Sequence, residues 1–103
     1  MIKVSVFYPH GENKRFDMNY YCAKHIPMVQ QKLGAALKKT EIDEGLAGGA
    51  PGAPAPFVGV AHLYFDSVDA FQAAFHPHGQ EIMADVPNYT DIAPVLQISA
   101  IRS

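Results

Sequence analysis

The chain has 103 residues, 49% hydrophobic and 17% charged, with a formal net charge of −2; that suits one ordered domain, 1–103, and excludes a disordered chain. It has no basic cluster to meet nucleic acid and no apolar run of about twenty residues to enter a membrane. Its single cysteine, Cys22, excludes an internal disulfide, and with no leader pattern at its start a cytoplasmic location is expected.

Ile2 to Tyr8 alternates, with Ile2, Val4, Val6 and Tyr8 on one side and Lys3, Ser5 and Phe7 on the other. That is the pattern of a strand with one apolar and one mixed face. A polar turn follows over Pro9 to Arg15.

Asp17 to Leu33 organises the chain. Met18, Tyr21, Cys22, His25 and Val29 share one face of a 3.6-residue period. Asp17 is a suitable N-cap, and Phe16 with Tyr21 suits a hydrophobic staple. Cys22 on this stripe reads as a small buried hydrophobe. Pro27 has no N–H for the carbonyl of Ala23 and its ring clashes there, which predicts a kink or restart near His25. Gly34 ends the helix.

Ala35 to Gly45 predicts a weak strand with one largely charged face, suited to a sheet edge. Gly45 to Pro56 is a Gly/Pro/Ala loop, read as a permissive hairpin connection in preference to a lid. Phe57 to Phe65 predicts the best strand. Phe57, Gly59, Ala61, Leu63 and Phe65 share one face, and Val58, Val60, His62 and Tyr64 the other. The small Gly59 and Ala61 either admit a close helix or leave a cavity beneath it.

Asp66 or Ser67 caps a second helix striped by Val68, Phe71, Phe75, His78 and Ile82 and interrupted at Pro77. Asp85 to Pro94 is a turn-rich connector returning to the start of the first helix. Val95 to Arg102 is the last strand. The order β-α-β-β-α-β predicts an α+β fold, a ferredoxin-like four-stranded antiparallel sheet with two helices on one face. The other face, with Phe7, Val58, Val60, His62, Tyr64, Gln97 and Ser99, is too apolar for water and predicts a homodimer packed sheet to sheet.

The segments MIKVSVFYP, RFDMNYYCAKHIPM, VAHLYFDSVDAFQAAF and above all EIMADVPNYTDIAPVLQIS resemble the EthD family over nearly the whole chain. The resemblance implies a dimeric α+β barrel and a link to bacterial degradation of ethyl tert-butyl ether. The run FHPHG, Phe75 to Gly79, is similar to a helix of stress-responsive barrels, though in that motif an extra residue separates the proline from the second histidine. No glycine-rich dinucleotide fingerprint and no metal-ligand cluster is present, so neither cofactor nor metal is expected.

His25 and His78 are the candidate catalytic residues, each inward on its stripe beside a proline. A neutral imidazole accepts a proton near pH 7, and two in one cavity serve as acid and base. Tyr8, Tyr21 and Tyr89, with the small Gly59 and Ala61, are the candidate ligand-binding residues. The competing reading has two core histidines bonded to carbonyls freed by Pro27 and Pro77. Asp85, Asn88 and Thr90 have turn and capping chemistry as their explanation. His62 reads as an interface residue, and Ser5 and Ser99 have no base and acid at readable spacing for a hydrolase triad. The function expected is binding of a small apolar, oxygenated compound, with or without cofactor-independent proton transfer. The alternative is a non-catalytic accessory or carrier protein beside an oxygenase.

Overall fold

The computed structural model describes residues 1–103 and contains four strands, with order β2-β3-β1-β4 in one antiparallel sheet. They are β1 (Ile2–Pro9), β2 (Lys39–Glu44), β3 (Phe57–Phe65) and β4 (Val95–Ala100). The long helix, α1, spans residues 18–33; α2 is Val68–Phe75 and α3 is Gly79–Ala84. The fold is α+β and ferredoxin-like: the chain order of strands and helices places β1 and β3 at the centre and β2 and β4 at the edges. No helix is long and apolar enough to cross a membrane.

Local sequence signals account for the helix ends. Asp17 accepts a hydrogen bond from the Tyr20 N–H at 3.0 Å, and the rings of Phe16 and Tyr21 lie 5.1 Å apart, as a cap and staple require. Ser67, not Asp66, caps α2 by accepting from the Ala70 N–H at 3.1 Å. Gly34 takes a φ of 61°, the left-handed region that favours glycine at a helix end. A 3-10 turn, Gly34–Ala36, then delays the second strand to Lys39.

The expected break at Pro27 takes a specific form. Tyr21–His25 is a π-helical turn, and the Ile26 N–H donates five residues back to the Tyr21 carbonyl. The wider turn accommodates a proline that supplies no N–H. It also rotates the stripe. Tyr21, His25, Ile26, Val29 and Leu33 are buried, whereas Cys22, expected on the buried face, is exposed with its thiol 3.7 Å from the Met18 sulfur.

The sheet follows the predicted alternation except at one end. Tyr8 pairs with Gly59 but Pro9 with Phe57, so β3 has one residue more than β1 there. Such a bulge reverses the alternation beyond it. Phe57 accordingly lies against Phe7 at 5.1 Å on the open face, and Val58 packs with the helix-side cluster. Both were expected the other way round.

The core divides into two clusters beneath the helices. One is aliphatic and contains Val4, Val29, Leu33, Leu63, Phe65 and Ile82. The other is aromatic and contains Tyr8, Tyr21, Ile26, Ala61, Tyr89 and Ile92. The connector fastens to the start of α1, as its turn-rich sequence predicts. The Asp17 N–H donates to the Tyr89 carbonyl at 2.8 Å, Phe16 bridges Thr90, and the Thr90 hydroxyl donates to the Arg15 carbonyl at 2.6 Å.

On the open face Ser5, His62 and Asp43 form a hydrogen-bonded row across β1, β3 and β2, at 2.9 and 3.2 Å. The sequence had offered Ser5 no partners of this kind. Ser5 is nonetheless buried mid-strand between two paired neighbours, where the ladders occupy the backbone N–H groups that an oxyanion would need.

Candidate functional site

A cavity of about 70 Å³ lies between the sheet and the helices, and sixteen of its eighteen lining residues are hydrophobic. Its floor includes Val4 and Val6 of β1 and Ala61 of β3; α1 contributes Tyr21, His25 and Val29. Tyr89 enters from the connector, so one wall comes from residues distant in sequence. The polar atoms gather at the aromatic cluster.

His25 is the centre of that group. It is buried, and its Nδ1 lies 2.9 Å from Asp85 Oδ2. The other carboxylate oxygen accepts from the Tyr20 hydroxyl at 2.7 Å and from the Asn88 amide at 2.8 Å. Burial works against the Asp85 charge, but the bonds from Asn88, His25 and Tyr20 outweigh it and hold the carboxyl below its usual range. Burial pushes the His25 imidazole down, and this prevails over the upward pull of Asp85. At neutral pH the pair is therefore a carboxylate accepting Nδ1–H from a neutral ring. The lone pair remains on Nε2.

Tyr89 faces that nitrogen. Its hydroxyl lies 3.5 Å from Nε2, at the long limit of hydrogen bonding, and 2.8 Å from the Tyr8 hydroxyl. Tyr21 stacks on the His25 ring, with centroids 5.4 Å apart and planes 16° apart. Burial pushes the hydroxyls of Tyr8, Tyr21 and Tyr89 upward, so all three remain neutral proton donors.

Five of the residues singled out from sequence thus come together: Tyr8, Tyr21, His25, Ala61 and Tyr89 line the cavity. Two do not. Gly59 is buried, but a Cβ there would stand 3.3 Å from Met18 and 3.4 Å from Phe16. It admits a close approach of the segment entering α1, while Ala61 leaves the open volume. His78 is absent from the cavity wall. The break at Pro77 ends α2 at Phe75, so His78 becomes the residue preceding α3 and leaves the stripe that Phe75 and Ile82 continue. Its Nδ1 is buried without a hydrogen-bond partner. The shared cavity expected for His25 and His78 is thereby corrected to a cavity with His25 alone.

Asp85, Tyr20 and Asn88 were missed as a group. Asp85 does serve a turn, at the end of α3, and that local role obscured the second one. No group of three or more His, Cys, Asp or Glu side chains is arranged to hold a metal ion.

Comparison with known proteins gives these features a family. A crystal structure of an EthD-like protein from Ralstonia eutropha JMP134 is similar at 53% identity and a TM-score of 0.92, covering 95% of this chain and 88% of that one. An EthD family protein from Bacillus halodurans C-125 shares the fold at 19% identity and a TM-score of 0.67, covering 99% of both chains. An uncharacterised 11.0 kDa protein from the thcB-thcC intergenic region of Rhodococcus erythropolis is 37% identical over 94 residues, covering 86% of this chain and 84% of its own. The family model for the EthD domain matches residues 9–93, and the chain is a member of the EthD family.

Proposed function

We propose that this chain binds a small apolar compound carrying an oxygen, in the cavity between sheet and helices, and that His25 moves a proton on it without a cofactor in a degradation pathway. The observation that carries the reading is the His25–Asp85 pair at the wall of an otherwise apolar cavity, with Nε2 free of the carboxylate and facing the Tyr89 hydroxyl. Apolar cavities with a few convergent polar groups are the usual form of small-molecule sites. The reaction would remove a proton from carbon beside a carbonyl. Nε2 takes the proton, the C–H electron pair passes into the carbonyl as an enolate, and the hydroxyl of Tyr89 or Tyr8 donates to the oxygen. Asp85 offsets the charge of the imidazolium that forms, and the proton returns to the substrate.

A non-catalytic carrier acting beside an oxygenase is the second reading. It is favoured by the Tyr8–Tyr89 bond, because these two hydroxyls already satisfy each other. Deuterium exchange separates the two. A panel of straight-chain and branched ketones and aldehydes is incubated in heavy water, and exchange beside the carbonyl is followed by NMR. Catalysis predicts exchange above the buffer rate that His25→Gln removes. Binding with exchange at the buffer rate for every member would sink the catalytic reading and leave the carrier.

The working form would be a cytoplasmic homodimer. Phe7, Val60 and Tyr64 on the open face are half-buried with no element of the chain above them, and a second sheet would cover them.

A further inference from the structure

The cavity is smaller than the compounds it would have to hold, and one of its walls is open. Its volume of about 70 Å³ is less than half of the roughly 150 Å³ of an apolar cavity that takes benzene. Two of its lining residues are not core residues at all: Met83 of α3 is 49% exposed and Leu96 of β4 is 50% exposed. Beyond Leu96 on the same face lies Ile98, 43% exposed.

The topology explains this. β4 is an edge strand paired only with β1, and the helices leave its outer part uncovered. Leu96 stands opposite Val6, and Ile98 opposite Val4. Val4 and Val6 both line the cavity, so the cavity floor continues across the pair of strands onto the exposed side chains of β4. The stretch from Val95 to Ile101 carries no charged residue. The other edge strand, β2, carries Lys39, Glu41, Asp43 and Glu44, the usual protection of an edge. The polar side chains lining the cavity are His25, Tyr8, Tyr21 and Tyr89, and Met83, Leu96 and Ile98 are apolar.

We infer that Leu96, Ile98 and Met83 form an apolar lip on which the body of an elongated ligand lies, its oxygen-bearing head at His25 and Tyr89. The substrate class is then an unbranched or flat apolar chain with one terminal oxygen function, longer than the cavity is deep. The inference rests on the cavity reading above and adds the length and direction of the ligand. A branched, compact molecule would gain nothing from the lip.

The straight-chain primary alcohols from butan-1-ol to octan-1-ol test it, by calorimetric titration of the full chain. The expected result is affinity rising roughly twofold per added methylene among the longer members, about half the free energy of full burial. In the Leu96→Ser, Ile98→Ser double variant, that rise should flatten, so that octan-1-ol loses more affinity than butan-1-ol does. Both positions are half exposed, so the variant keeps its core. Ala61→Phe is the control for the cavity: it should abolish binding of every member. If no alcohol binds, or if Ala61→Phe leaves binding unchanged, the cavity reading fails and the lip with it. If the short alcohols bind and Ala61→Phe removes them, but affinity does not rise with chain length, the cavity stands and the lip is overturned. The lip is equally overturned if the double variant changes only the sedimentation of the protein, because a second copy would then occupy the β4 face.

Discussion

His25 and Asp85 meet at 2.9 Å although sixty residues separate them in the chain. The contact fixes which ring nitrogen carries the proton, because an ionised carboxylate accepts Nδ1–H and leaves Nε2 as the basic atom. Asp85→Asn keeps the size of the side chain and removes the charge. The Nδ1–H tautomer should predominate in the native protein at neutral pH, and the Nε2–H form should rise in the variant. Nitrogen-detected NMR of the His25 ring measures both, and an unchanged tautomer ratio would show that Asp85 does not position the ring.

The hydrogen-bonded pair Tyr8 and Tyr89 offers a cleaner energetic test. Tyr89→Phe removes the partner of the Tyr8 hydroxyl at the heart of the aromatic cluster. Leaving that hydroxyl unsatisfied should cost about 1–3 kcal/mol, as should Tyr8→Phe alone. The double variant should cost less than the two single ones together, since it leaves no orphan between them. Simple additivity in denaturant unfolding would mean that the hydroxyls do not depend on each other.

Stability should fall on mild acidification. Burial holds the His25 imidazole below its ordinary value, near 6.5 in the unfolded chain. Between the folded value and about 6.5 the unfolded state binds more protons, so stability is full above that pH and is lost as pH falls through the folded value. Asp85, also held below its ordinary value of 3.8, adds its own loss at lower pH. The melting temperature should therefore decline as pH falls below about 6.5, and His25→Gln should flatten the decline. Equal slopes in the two proteins would place the acid sensitivity elsewhere.

Ala61 is buried on the cavity floor at the middle of β3. Ala61→Phe should fill the space beneath Tyr21 and His25. Overpacking should cost about 1–3 kcal/mol, and the fold should persist with a lower melting temperature. A variant that melts like the parent and still binds small alcohols would mean that ligand sits somewhere other than this cavity.

Val60 stands on the open sheet face opposite Phe7. If a second copy covers that face, Val60→Glu buries an unpaired charge between two sheets and should dissociate the dimer. Sedimentation of the parent as a monomer at micromolar concentration would remove the proposed assembly, and with it the reason for the apolar face.

The sequence by itself determined whatever depends on residues within about four positions of one another. Asp17 and Ser67 cap the helices because each side chain reaches the N–H three residues on. Gly34 ends α1 because its neighbours cannot adopt its φ without strain. The alternation of Ile2 to Tyr8 and the 3.6-residue stripe around His25 determined which faces turn inward, and the order of the elements then implied the sheet. Tertiary structure decided the rest. Pro27 announced a break, but only packing against the sheet chose a π turn, which put Ile26 in the core and Cys22 outside. Pro77 likewise announced a break, and the separate docking of α2 and α3 removed His78 from the cavity. One extra residue at Val58 exchanged the faces of Phe57 and Val58, which no strand pattern signals because register belongs to the pair of strands. Asp85 found His25, and Ser5 found His62 and Asp43, through contacts between distant segments. Hydrogen-bonding side chains of this kind carry no periodicity, so their partners are fixed only when the elements that hold them pack together.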